Sequence, residues 1–458
     1  MKVFRLQSKI AELKSQLEAR GLPTERRAVI EPRPLCVLTV VSAIVSFRSV
    51  PRILEIYRPY LLAPIRIPHF TSVINWTLRA GVAVFHRVAP IFSPWIAIID
   101  CSIDIGTRKA LVVLRVPLQA LQNKQGTAIG LQDCECIGLE VSPKWDGQLV
   151  SEALTKIFDK AGIPKAILKD GGADLKKGVE LFCAQQPPQK ISIIDDVGHS
   201  AANALKALYA TSGSFIKFIA LLSKGAALIR QTTLAMFLPP KVRSKGRFQG
   251  ITALAQWAHK MLDLLSSKTA TKKDPELRRL QKAFAGLGKF HAFLKGFCQT
   301  CSTVESFLRL MKNFGIHESS YTEAKDILAK LPTKSLVRIR LTDWLEKHIR
   351  LQRALAMGNL PLLVSSDAIE SLFGAFKTTI KRSPQGELNR LVYAIPLLCG
   401  NHSYQDIQRA LNSCSHSQML SQIELSIPPT LRQQRIQKFG KSSNSVPKSG
   451  VHPKPISG

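Results

Sequence analysis

A chain of 458 residues, 45% hydrophobic and 21% charged, can bury one or more cores, which excludes a wholly disordered or collagen-like polymer; its length suggests two to three folded units. Lysine and arginine number 64 against 32 acids, a formal net charge of +32 that repels itself unless polyanions screen it. Nucleic acid is therefore the first partner to expect; a membrane-spanning role is not, because the longest apolar runs, Leu35 to Val45 and Phe218 to Leu222, fall short of the about 20 residues a spanning helix needs.

The opening MKVFRLQSKIAELKSQLEARG is charged throughout and lacks the apolar stretch of a secretory leader. The expected location is inside the cell: cytoplasm or nucleoid in a prokaryote, nucleus in a eukaryote. Phe4, Ile10, Leu13 and Leu17 recur at helical spacing, as in a short coiled coil or an outer helix. Val40 to Tyr57 and His69 to Gly81 then read as two helices joined by a Pro-punctuated turn, the second opened by Pro68 and Thr71 and closed by Gly81. The pair resembles a helix-turn-helix unit, in which Thr71, Ser72 and Asn75 near the start of the second helix would contact DNA while Trp76 and Leu78 face a core. Residues 1–90 carry 14 Lys/Arg against 5 Asp/Glu, which suits a phosphate-facing domain, though a helical packing domain with a solvated basic face has the same composition.

From residue 93 the pattern changes to buried strands. PWIAIID ends at Asp100, KALVVLRV covers Lys109 to Val116 and CIGLEV covers Cys136 to Val141. A helix over Gln148 to Lys160, the strand AILK before Asp170, a helix from Ala173 to Ala184 and the strand ISII at 191–194 complete a βββαβαβ order. Three strands in hairpin succession followed by two helix-linked strands predict a mixed, five-stranded α/β sheet over residues 93–200. Residues 201–360 read as all-helical, with basic loops at Lys241 to Arg247 and Lys268 to Lys273. Residues 361–425 add further helices, beginning with one from Asp367 to about Lys381; the Ser-, Pro- and Lys-rich stretch 426–458 reads as a basic disordered tail. Nine scattered cysteines, with one CxxC at Cys298 and Cys301 and one CxC at Cys134 and Cys136, read as core thiols, since a structural zinc site wants two such pairs.

Asp100 and Asp170 both stand at the C-terminal ends of predicted strands. Adjacent strands lie about 4.8 Å apart, so if these two are neighbours their carboxylates repel unless a cation sits between them, and Mg²⁺ with oxygen ligands is the usual solution. A third acid from a helix would complete a two-metal site for phosphodiester chemistry, and Glu370 in SSDAIESLFGAFK is the candidate. Strand-end caps and an exposed helix acid are the duller readings of the same residues.

With these acids in this order, the chain resembles a DDE transposase with an RNase H-like catalytic core over about residues 93–385. The 200 residues between Asp170 and Glu370 resemble the hAT-like subset, which carries a helical insertion before the Glu helix. The resemblance implies that Asp100, Asp170 and Glu370 hold two Mg²⁺ or Mn²⁺ ions. It also implies that Asp196 and His199, matching a [C/D]xxH motif after the fifth strand, support the site. Lys377, seven residues beyond Glu370, would meet DNA phosphate, and Arg247 and Trp257 in the insertion would contact DNA, the Trp by stacking on a flipped base; an ordinary amphipathic helix core is the competing reading of Trp257. The implied function is metal-dependent cleavage and strand transfer at transposon ends, on double-stranded DNA, by a homo-oligomer. A catalytically inactive transposase-derived DNA-binding protein and another RNase H-like nuclease are the alternatives.

Overall fold

The computed structural model of the chain describes residues 31–60, 65–91, 93–101, 108–124, 126–185, 191–241, 248, 250–266, 274–355, 358–380, 389–427, 429 and 431–440, with Ser8, Lys9 and Glu12. The strands are β1 (Trp95–Asp100), β2 (Lys109–Pro117), β3 (Glu135–Ser142), β4 (Ala166–Lys169) and β5 (Ser192–Asp195). They form one sheet in the order β3-β2-β1-β4-β5, in which β2 is antiparallel to β1 and β3 while β1, β4 and β5 run parallel. This is the RNase H-like mixed sheet expected from the βββαβαβ order.

The helices in chain order are α1 (Pro32–Ser42), α2 (Ser49–Tyr57), α3 (Phe70–His86), α4 (Leu118–Lys124), α5 (Gly147–Ala161), α6 (Ala173–Ala184), α7 (Val197–Tyr209), α8 (Gly213–Ile229) and α9 (Ile251–Ser266). They continue with α10 (Pro275–Ala283), α11 (His291–Phe314), α12 (Glu318–Ala329), α13 (Leu336–Ala354), α14 (Asp367–Ile380), α15 (Tyr404–Ser413), α16 (His416–Ser426) and α17 (Leu431–Gly440). No single helix among the described residues is long and apolar enough to cross a membrane.

Strand alternation divides the sheet between two cores. Ala97, Ile99, Leu111, Val113 and Ile167 pack with Leu154 and Phe158 of α5 and Val179 and Phe182 of α6. Ile96, Ile98, Val112, Leu114, Leu168 and Ile194 join the core formed with α3, the insertion and α14. Every residue of β1 is buried, as a central strand covered on both faces requires. The β2 to β3 connection is longer than a hairpin turn: the strand ends at Pro117 and the chain makes α4 before β3.

The N-terminal helices correct the domain plan. Instead of forming a separate unit, α1 and α3 pack against α15, and α3 also packs against α16 and the 3₁₀ segment Arg390–Leu398. Arg79 of α3 donates to the carbonyls of Leu411 (2.7 Å) and Cys414 (2.9 Å), and Tyr404 Oη exchanges hydrogen bonds with the backbone of Glu31. The helix does not stop at Gly81 but runs to His86. Gly81 marks a close crossing, where an added Cβ would lie 1.7 Å from the Tyr393 carbonyl oxygen. Gly81→Ala is accordingly expected to cost about 2 kcal/mol or more by forcing α3 off the 3₁₀ segment, read as a lower urea midpoint; an unchanged midpoint would refute the crossing.

The insertion leaves the core at α7 and returns through Leu362 to Ser366, where Val197 N donates to Val364 O at 2.9 Å. Its interior is aromatic: Tyr209, Phe215, Phe218, Phe293 and Phe297 touch one another, with Phe293 and Phe297 stacked at 5.6 Å. Part of the expected disordered tail is helical, since α17 lies within it; residues 441–458 lie outside the described residues, as does the predicted helix over residues 1–20 apart from Ser8, Lys9 and Glu12.

Candidate active site at the strand ends

Register sets the site. Ile99 pairs with Lys169 and Lys169 with Asp195, so Asp100, Asp170 and Asp196 follow at one level from the C-terminal ends of three adjacent parallel strands. Asp100 is 7% exposed. Asp170 Oδ1 accepts from Gly172 N at 2.8 Å, closing the turn into α6.

Asp196 is the joint of the site. It is 4% exposed, and Oδ1 accepts from His199 N (2.7 Å) as the N-cap of α7 while lying 3.1 Å from His199 Nδ1. Its Oδ2 accepts from both Ser366 N (2.8 Å) and Ser366 Oγ (2.9 Å), immediately before α14. One carboxylate thus fixes the end of β5, the start of α7 and the approach to the helix that carries Glu370. Burial pushes its pKa up, but these hydrogen bonds and His199 outweigh it and hold it below the usual aspartate value.

His199 lies between the acids, with Nε2 3.9 Å from Asp170 Oδ2. Its hydrogen bond to Asp196, opposed by burial and reinforced by the charges of Asp196, Asp170 and Glu370, pushes its pKa up to about 9. At neutral pH it is an imidazolium among carboxylates. Glu370 sits in the first turn of α14 on its exposed side; burial of the carboxyl, then Asp367 and Asp196, raise its pKa, while His199 and Lys312 counter them. Lys377 is exposed two turns further along the same face. The Cys101 thiol is raised by burial and then by Asp100, Asp170 and Asp174, which puts it beside the same acids.

The donor chemistry suits a hard divalent cation. Magnesium is commonly held by one or two carboxylates with water and substrate phosphate completing its shell, and Asp100 and Asp170, at the ends of adjacent parallel strands, are the residues that would hold it. Among the described residues no three His, Cys, Asp or Glu side chains close around one point, so Glu370 does not complete a preformed cage with that pair. It reaches the site through Asp196 and His199.

The remaining candidates stand apart from the acids. Thr71 is exposed and hydrogen-bonded to His69 Nδ1 at 2.8 Å, Ser72 is half-buried, and the buried Asn75 Oδ1 has no hydrogen-bond partner. One face of α3 buries Val73, Thr77, Leu78 and Ala80 to Ala83 against its neighbours, while Thr71 stays exposed. Trp257 is half-buried: its Nε1 donates to Phe237 O at 3.1 Å and its ring meets Phe284 edge-on at 5.4 Å. Arg247 lies outside the described residues. The residues that sequence reasoning missed are Ser366, whose only signal is its place ahead of the acidic helix, and His348, which bonds the Asp195 amide and carried none.

No protein-family model and no curated protein matches the sequence. Among solved structures the chain is similar to the Drosophila P element transposase strand transfer complex, with a TM-score of 0.38 and 13% identity over 86% of this chain and 97% of that one.

Proposed function

We propose that the chain is a DDE-type DNA transposase that cleaves strands at element ends and transfers them to target DNA. The observation that carries this reading is the alignment of Asp100 and Asp170 at the ends of adjacent parallel strands, with Asp196 beside them tied to the helix of Glu370. Asp100 and Asp170 would hold Mg²⁺ or Mn²⁺, with Glu370 as the third acid. The chemistry two such ions supply when bound is activation of the attacking hydroxyl and stabilisation of the leaving oxygen. The chain's own residues do the rest: His199 places positive charge beside Asp170, and Lys377 offers an ammonium to a DNA phosphate near Glu370. The net charge of +32 supplies salt-sensitive affinity for duplex DNA. Pairing of two element ends calls for a homo-oligomer, acting wherever the cell keeps its DNA.

A second reading, a DNA-binding protein that keeps this fold without cleaving, is favoured by Glu370 standing outside any three-acid cluster among the described residues. Supercoiled plasmid incubated with the full chain in Mg²⁺ or Mn²⁺ separates the two. Divalent-dependent nicking that EDTA abolishes supports the transposase; plasmid that is bound yet stays intact supports the binding protein.

A further inference from the structure

One residue before Asp196, every polar group of Asp195 is occupied, and mostly from the insertion. Its Oδ2 pairs with Lys347 Nζ at 2.6 Å and its Oδ1 with Lys169 Nζ at 2.7 Å. Its N–H donates to His348 Nε2 at 3.0 Å, and its carbonyl accepts from Trp344 Nε1 at 3.1 Å. Trp344, Lys347 and His348 all belong to α13.

His348 is 0% exposed, and its Nδ1 lies 2.7 Å from Trp344 O. A ring that faces a carbonyl on one side and an N–H on the other must be neutral, with the proton on Nδ1. The Trp344 ring stacks on it at 4.3 Å and meets Phe307 of α11 edge-on, which anchors the pair in the insertion. Lys169 is 2% exposed and directly precedes Asp170, whose carbonyl its Nζ also approaches at 3.4 Å.

The network therefore grips the residue before each of two acids in the strand-end row. Burying an ammonium adds little stability compared with apolar packing, and here Lys169 Nζ bridges the Asp195 carboxylate and the Asp170 carbonyl, so it ties the ends of β4 and β5 together. Since β5 is an edge strand, the outward N–H and C=O of Asp195 need partners, and α13 satisfies both while its Lys347 also pairs the same residue's carboxylate. We infer that Lys169, Asp195, Trp344, Lys347 and His348 are positioning residues, through which the insertion sets the placement of Asp170 and Asp196, and through Asp196 that of the Glu370 helix. The inference rests on the proposed function for its catalytic consequence only.

The test uses the full chain with Asp195→Asn, Lys347→Met and, as the conservative control, Lys347→Arg. Lys347 is half-exposed, so its variants keep the fold. Hydrogen exchange is read at the amides of Gly172, His199 and Ser366, whose acceptors are the Asp170 and Asp196 carboxylates. Asp195→Asn and Lys347→Met are expected to speed exchange at these amides and to weaken both Mn²⁺ affinity, by EPR titration with the metal alone, and plasmid nicking by about 10- to 100-fold. Duplex binding stays at the wild-type value, and Lys347→Arg behaves as wild type. Unchanged exchange and unchanged Mn²⁺ affinity in both variants, even alongside a lowered melting temperature, would overturn the positioning role. Faster exchange in variants of a wild-type chain that neither binds Mn²⁺ nor nicks would leave the clamp standing and sink the transposase reading instead.

Discussion

Asp100→Asn and Asp170→Asn are each expected to lower divalent-dependent plasmid nicking by about a thousandfold or more, while affinity for duplex DNA stays within about twofold. Asparagine preserves shape and one oxygen, so the Gly172 amide keeps an acceptor in the Asp170 variant. What is lost is one negative charge from a donor pair. Metal-ion stabilisation is worth several kcal/mol, and each 1.36 kcal/mol is a factor of ten in rate. The proposed DNA affinity would come from the distributed excess of 64 basic residues over 32 acids, which one neutralised aspartate hardly alters. Filter binding and nicking on the same preparations make the comparison. Wild-type nicking by either variant would remove that residue from the site.

The second large effect is on stability and runs through pH. Burial, countered by its bond to Trp344 O, depresses the His348 pKa from 6.5 to about 4. The folded state holds the ring neutral where the unfolded chain would protonate it, so the unfolded state binds more protons between those two values and stability falls as the pH drops from about 6.5 to 4. The difference amounts to about 3 kcal/mol for this fully buried ring. Asp195, where burial is outweighed by the Lys169 and Lys347 ammonium groups, is held at about 2 and titrates below this window. Urea midpoints measured between pH 7 and 4.5 should show the loss, and His348→Gln, which keeps an acceptor and cannot titrate, should remove most of it. His402, whose pKa burial also lowers, adds to the slope, while His199, Glu370 and Glu140, whose pKa values are raised in the folded state, oppose it. A variant with the full wild-type slope would contradict the assignment.

The sheet and the acids at its strand ends were legible because strands announce themselves locally. WIAII and AILK are β-branched apolar runs ending in aspartate, and parallel neighbours with matched ends align those aspartates with no further information. The helix of Glu370 was legible for the same reason. The misreadings concern relations between distant segments. Nothing in FTSVINWTLRAGVAVFH says whether its apolar face meets a small local core or residues 390–419, and Gly81 looks like a helix end when it is a crossing point. The edge-on contact of Trp257 with Phe284 likewise joins two segments that no local pattern links. The Asp195 clamp joins positions about 150 residues apart, a separation over which no local pattern operates.

The meeting of Val197 and Val364 also has a temporal side. All five strands lie between Trp95 and Asp195, so the sheet can assemble from contacts within one contiguous stretch. The hydrogen bond between Val197 and Val364 closes a loop the length of the whole insertion. Relative to a loop of about ten residues this is about four doublings, each costing about 0.6 kcal/mol of closure entropy, and that is small enough for the ends to meet readily once the insertion has folded. Refolding should therefore run in two stages. Pulse-labelled hydrogen exchange should find the amides of Val112 and Leu168 protected before that of Ser366, and simultaneous protection would show the sheet and insertion folding as one unit. Between the two stages the chain has a finished sheet and an unfinished site, so the proposed cleavage would have to wait until the last helices are in place.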